Sequence, residues 1–177
     1  MKNEAEFKSV FKKSVRAQGG FSISLSAPML SGIPDLYVII PGFMPVLLEA
    51  KWLGSLGRKF KRKIQYSPLQ RHFLDECNKI KVNSALGLIG FKWEDNIWAS
   101  LKPRILQEEN ETISSDYINE YSATICTPYT GKTFNVVTLF AVAGVPRING
   151  YASGKNNIFN INATSPLKQD GNSGLAT

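Results

Sequence analysis

Cysteine and histidine are nearly absent: 177 residues contain Cys77, Cys126 and a single histidine, His72. Two distant cysteines in no metal-ligand spacing argue against a disulfide-stapled secreted scaffold and fit a reducing interior. One histidine leaves a His-based zinc site without its second ligand, and His72 falls off the apolar face of its segment, as a surface residue would. Long apolar runs are missing as well. The longest, Val136 to Val145, is about half the ~18 residues a membrane-crossing helix needs, and Thr138 interrupts it. The N-terminal MKNEAEFKSVFKKSV mixes lysine, glutamate and phenylalanine and has no apolar core of a secretory signal. A cytoplasmic protein with no membrane partner is therefore expected. Gly54 and Gly57 precede basic residues but no Gly-Lys-Ser/Thr, which excludes a Walker loop.

What the chain does have is unevenly placed positive charge. Its net charge is +7, yet residues 1–104 hold 17 Lys and Arg against 8 Asp and Glu, whereas residues 105–177 hold 4 against 6. Arg58, Lys59, Lys61, Arg62 and Lys63 crowd into six positions, a density suited to a polyanion such as nucleic acid. Taken alone, such a run also describes a solvated loop.

The length suits one domain with a substantial core. Phe7, Val10, Phe11 and Val15 recur at helical spacing and predict a helix over residues 3–18, stopped at Gly19-Gly20. Phe21 to Ser26, Leu36 to Ile40 and Val46 to Lys51 read as three strands, the last two joined by a turn at Pro41 to Pro45. A basic loop over residues 53–66 leads to Ser67-Pro68, a helix start with Ser as cap and Pro in the first turn, and the helix runs to about Lys81. Ala85 to Phe91 and Ile97 to Leu101 are two more strands around a charged turn that Trp93 and Trp98 flank as packing residues. This order predicts an α+β fold whose mixed sheet is flanked by helices. Beyond it, residues 105–177 form a C-terminal extension: an acidic stretch at Glu108 to Glu111, a short helix near Ser114 to Tyr121, a strand-like run from Phe134 to Val142, and an Asn-, Gly- and Ser-rich tail from Gly144 that looks loop-like or disordered.

Three charges stand where strands should be apolar. Asp35 follows Pro34 at the start of one strand, and Glu49 and Lys51 close the next, two apart and so on one face. A hairpin through Pro41 to Pro45 brings all three to its mouth. Neighbouring carboxylates repel unless a cation neutralises them, and hard oxygen donors suit Mg²⁺ or Mn²⁺. Individually each residue also reads as an exposed turn or strand end with weak surface pairing. On the second helix, Leu69, Phe73, Leu74, Cys77 and Ile80 form an apolar stripe, and Gln70 projects from within it; a polar group there needs a partner, in a site or in a helix cap.

Gly32-Ile-Pro34-Asp35, followed fourteen residues after Asp35 by Glu49-Ala50-Lys51, resembles the signature of the PD-(D/E)xK nuclease superfamily. With Ser67-Pro68-Leu69-Gln70 added, the chain is similar to the VRR-NUC branch, whose small stand-alone members are often viral. The resemblance covers about residues 3–91. It implies a restriction-endonuclease-like core, α-β-β-β-α-β, within residues 1–104, and a divalent-metal-dependent endonuclease that hydrolyses DNA phosphodiesters, branched or Holliday-junction DNA among the candidate substrates, in nucleic-acid processing or recombination. Asp35, Glu49 and the Ala50 backbone carbonyl would hold Mg²⁺ or Mn²⁺. Lys51 would act on the attacking water, Gln70 would lie beside the metal centre, and an acid on the first helix, Glu6 with Glu4 as its rival, would face the same site. Arg58, Lys59, Lys61, Arg62 and Lys63 would grip the DNA backbone. The long basic loop and the C-terminal extension depart from the branch's small domains. Cleavage of four-way junctions would require a homodimer, with Phe134 to Val142 as a partner surface. A DNA-binding or assembly protein that keeps the fold without the chemistry is the alternative; intact Asp35, Glu49 and Lys51 favour the enzyme.

Overall fold

A computed structural model describes residues 1–25, 32–79, 85–103, 112–114 and 126–148. It is an α+β arrangement built on a mixed six-stranded sheet, with three helices among the described residues.

Helix α1 (Glu4–Ala17) starts where the Asn3 side chain accepts the Glu6 amide, and it carries Glu4 and Glu6 in its first turn and Arg16 in its last, each sign at the favourable pole. It ends at Gly19, whose φ of +75° few other residues tolerate. Phe7, Phe11, Ser14 and Val15 form its buried face. Strands β1 (Phe21–Ser24), β2 (Leu36–Ile39) and β3 (Val46–Ser55) pair antiparallel in that order. The chain then forms a short strand β4 (Lys61–Lys63) and helix α2 (Pro68–Lys79), and returns as β5 (Ala85–Trp93), parallel to β3. β5 turns at Glu94 and Asp95, both at positive φ, into antiparallel β6 (Asn96–Pro103). β7 (Thr112–Ser114) pairs with β4, and β8 (Cys126–Pro128) adds a sixth strand beside β6. Helix α3 (Val136–Val142) follows.

Alternation along β3 divides the core. Val46, Leu48 and Ala50 join Phe7, Phe11 and Val15 of α1 and Val136, Leu139 and Phe140 of α3 in one buried cluster. Gly90 belongs to this face because a Cβ there would lie 2.6 Å from the Phe7 ring. On the opposite face Leu47 and Leu53 pack against Ile64, Tyr66, Leu74, Ile89, Phe91 and Trp93, with Trp98 against Trp93. Glu49 and Lys51 lie on this second face, toward α2.

Three expectations are corrected. Phe134 to Val142 is a helix start and helix rather than a strand: Asn135 caps it by accepting the Thr138 amide, and a short continuous apolar run suits a buried helix as well as a strand. Phe134, Val136 and Phe140 of this run are fully buried in this chain's own core, and Val137 is its exposed large apolar residue. The segment 53–66 is not a loop throughout, because β3 runs on to Ser55 and Lys61–Lys63 is a strand. Its apolar residues are core, Ile64 being fully buried and Tyr66 9% exposed. The chain from Gly144 is structured as far as Ile148: the Pro146 carbonyl accepts from Met44 N at 2.8 Å, and the Arg147 guanidinium stacks 4.8 Å over Phe43. The expected helix near Ser114 to Tyr121 begins where β7 ends, and its remainder lies outside the described residues, as do Glu108 to Glu111. No helix among the described residues is long and apolar enough to cross a membrane.

Candidate active site

The site forms where the sheet opens. β2 starts at Leu36, opposite Leu48, so β3 runs past it from Glu49 onward, with no strand on that edge among the described residues. Asp35, one residue ahead of β2, takes the place of the missing strand: its Oδ2 accepts the Ala50 amide at 2.9 Å. In an extended strand the amide and carbonyl of one residue leave on the same edge, so the Ala50 carbonyl is directed to the Asp35 side. On β3, Glu49 is buried with only 2% of its side chain exposed, and its Oε1 lies 3.0 Å from Lys51 Nζ.

Gln70 joins the two. Its Nε2 donates a short hydrogen bond to Glu49 Oε1, and its Oε1 accepts from Lys51 Nζ at 3.1 Å. The same Oε1 accepts the Ser67 amide at 2.9 Å while Ser67 Oγ accepts the Gln70 amide at 3.2 Å, a reciprocal capping box. The cap and the site, alternatives for Gln70 in the sequence, are one arrangement. The apolar stripe that suggested Gln70 holds for Leu74, Phe73 and Cys77, but Leu69 is 53% exposed; Ile80 lies outside the described residues. His72 is exposed.

Burial pushes the Glu49 carboxyl up from 4.5 to about 7; the Lys51 hydrogen bond pulls it down, and the Asp35 charge adds to the rise. A group that gives up its proton near neutrality, next to a second carboxylate, favours a cation that neutralises both.

Two residues at the site escaped the sequence reading. Lys8 of α1 reaches Asp35 Oδ1 at 2.7 Å and Glu4 Oε1 at 3.5 Å. Its signal was present in the Glu4, Lys8 spacing of one helical turn, but nothing in the sequence placed that face against Asp35. Tyr66 lies with its ring 5.6 Å from Lys51 Nζ. Gly87, opposite Glu49 on β5, makes room for it: a Cβ there would come within 2.2 Å of the Tyr66 hydroxyl.

The two acids of the first helical turn point different ways. Glu6 turns to the chain terminus, accepting the Lys2 amide at 2.7 Å with the Met1 ammonium 3.8 Å away. Glu4 pairs with Lys8, which contacts Asp35, and its charge also acts on Glu49. Of the basic cluster, Arg58, Lys59, Lys61, Arg62 and Lys63 are all exposed. β4 carries the last three and leads within three residues to Tyr66, which ties that strand to the site. Arg58 lines an open cleft of about 610 Å³ with Lys92, Glu94 and Asp95; Glu49 and Lys51 do not line it.

Among the described residues no three Asp, Glu, His or Cys side chains gather. The oxygens that could meet a cation here are those of two carboxylates, Asp35 and Glu49, with the Ala50 carbonyl. This hard-oxygen set fits Mg²⁺ or Mn²⁺, ions that keep several waters and are commonly held by one or two carboxylates. No family model matches the chain, and no curated protein matches it in sequence.

Proposed function

We propose that the chain is a divalent-metal-dependent DNA endonuclease of restriction-endonuclease-like fold, similar to the VRR-NUC branch, that hydrolyses phosphodiester bonds in nucleic-acid processing. One observation carries this reading: a buried Glu49 and Lys51 share a face of β3 where Asp35 caps the open edge of the same strand. A bound Mg²⁺ or Mn²⁺ would polarise the scissile phosphate and lower the pKa of a water. Asp35, Glu49 and the Ala50 carbonyl would supply its protein ligands. Lys51 Nζ, fixed by Glu49 Oε1 and Gln70 Oε1, hydrogen-bonds the attacking water or a phosphate oxygen and balances the negative charge that builds up there. Gln70 holds both partners in register, and the Tyr66 ring closes the other side of the ammonium. The exposed cations of residues 58–63 contact backbone phosphates without reading bases.

The alternative, a DNA-binding or assembly protein without chemistry, draws on the pairing of Asp35 with Lys8, which neutralises one ligand internally. A panel of branched and linear DNAs with Mg²⁺ or Mn²⁺ separates the two. The nuclease cuts at least one substrate, EDTA stops it, and Asp35→Ala and Glu49→Ala abolish cleavage while binding survives. Cleavage that both variants retain removes the assignment, and binding without cleavage under every condition favours the alternative.

A further inference from the structure

Asp35 has two carboxylate oxygens and both are engaged. Oδ2 holds the Ala50 amide at 2.9 Å, so a cation that meets Asp35 at Oδ1 leaves that bond intact. That oxygen is held by Lys8 Nζ at 2.7 Å. The pair is partly buried, with 27% of the Lys8 side chain and 19% of the Asp35 side chain exposed. That contact sets the Lys8 ammonium directly against the carboxylate oxygen. The ammonium also has a second acceptor, since Glu4 Oε1 lies 3.5 Å away, one turn back on the same helix. Released from Asp35, Lys8 keeps a carboxylate partner without moving its backbone. Glu49 differs, for Lys51 and Gln70 both contact its Oε1 and belong to the same reacting group.

Resting on the nuclease reading above, we propose that Lys8 is a built-in counter-ion that occupies the Asp35 limb of the cation site, and that a divalent ion must displace it toward Glu4 to bind. Lys8 is a positioning residue here: it keeps Asp35 aimed along the β3 edge and sets the cation concentration at which the site fills. An ammonium and a divalent cation cannot share one carboxylate oxygen without strong repulsion, so the two occupancies compete.

The test is Mn²⁺ binding to the full chain without DNA, by calorimetry or by the paramagnetic signal of free Mn²⁺. Lys8→Met should tighten the Mn²⁺ dissociation constant by about tenfold relative to wild type, Lys8→Arg should leave it unchanged or weaker, and Glu49→Ala should abolish binding. Without metal, Lys8→Met should melt at a lower temperature than wild type, with Mn²⁺ closing the gap. Should Lys8→Met fold poorly, Lys8→Gln, which can still hydrogen-bond Asp35, serves the same comparison. In the wild type, the Lys8 side-chain nitrogen resonance should shift as Mg²⁺ is added. Equal affinity in wild type and the Lys8→Met or Lys8→Gln variant, or weaker binding in the variant, overturns the counter-ion role and leaves the cation site standing. No Mn²⁺ binding by wild type or variant removes the cation site itself, and the nuclease reading with it.

Discussion

At the residue scale the site depends on how a few charges are partnered, and Glu49 shows it most directly. Its carboxyl titrates near 4.5 when exposed and near 7 in the fold. Between those values the native state binds more protons than the unfolded chain, so metal-free stability falls as pH rises from about 4.5 to about 7 and levels off above. Glu49→Gln removes this titration. Thermal melts in EDTA should therefore show a declining midpoint across that window in wild type and a flatter one in the variant; parallel curves would refute the assignment of the slope to Glu49. At the same scale, Glu6→Gln should leave cleavage near wild type, because its carboxylate serves the chain terminus. Lys51→Ala should lower the single-turnover rate at saturating enzyme by orders of magnitude. An equal loss in both variants would return Glu6 to the site. Asp35, Glu49, Lys51 and Gln70 stand out in the sequence as polar residues in apolar patterns, and the resemblance is what singles them out together. Glu4 and Glu6 sit in one helical turn with similar surroundings in sequence, and only the docking of α1 separates them.

At the element scale, the chain passes from exposed charge in β4 to buried core just after it. Lys61, Arg62 and Lys63 are exposed, while Ile64 beyond them is fully buried and Tyr66 nearly so. Changing Arg58, Lys59, Lys61, Arg62 and Lys63 to Gln should weaken DNA binding and flatten the dependence of log affinity on log salt by several units, since each phosphate contact contributes about one. The surface positions should change stability little. Dissociation constants between low and moderate salt check this; an unchanged slope would move the DNA surface to other cations, such as Lys12, Lys13 and Arg16 of α1. Ile64→Ala, by contrast, should cost about 2–5 kcal/mol in a denaturant titration without altering the salt slope of the folded fraction. This element was misread as a loop because its run of charges hid a strand whose partner, β7, lies some fifty residues ahead.

At the scale of the whole molecule, the C-terminal region is fastened to the first helix. Buried Ser14 accepts the Phe134 amide at 2.9 Å, and Gln18 donates to the Phe134 carbonyl at 2.7 Å and accepts the Val137 amide at 3.1 Å. Ser14→Ala leaves the Phe134 amide without that partner and should cost about 1–3 kcal/mol, read as a lower midpoint in chemical denaturation; no change would mean the clamp is redundant. The sequence by itself determined the early elements, the α+β class and the charged constellation. Helix periodicity, strand alternation, caps and turns act between near neighbours, and a charge in an apolar run is visible without a fold. The tertiary structure alone decided the rest. It set Lys8 against Asp35, Tyr66 over Lys51, Glu4 rather than Glu6 beside the site, and Val136 to Val142 as a core helix. Each of these is a contact between segments distant in the chain, chosen by which faces the sheet leaves to be covered, and no local pattern encodes that choice.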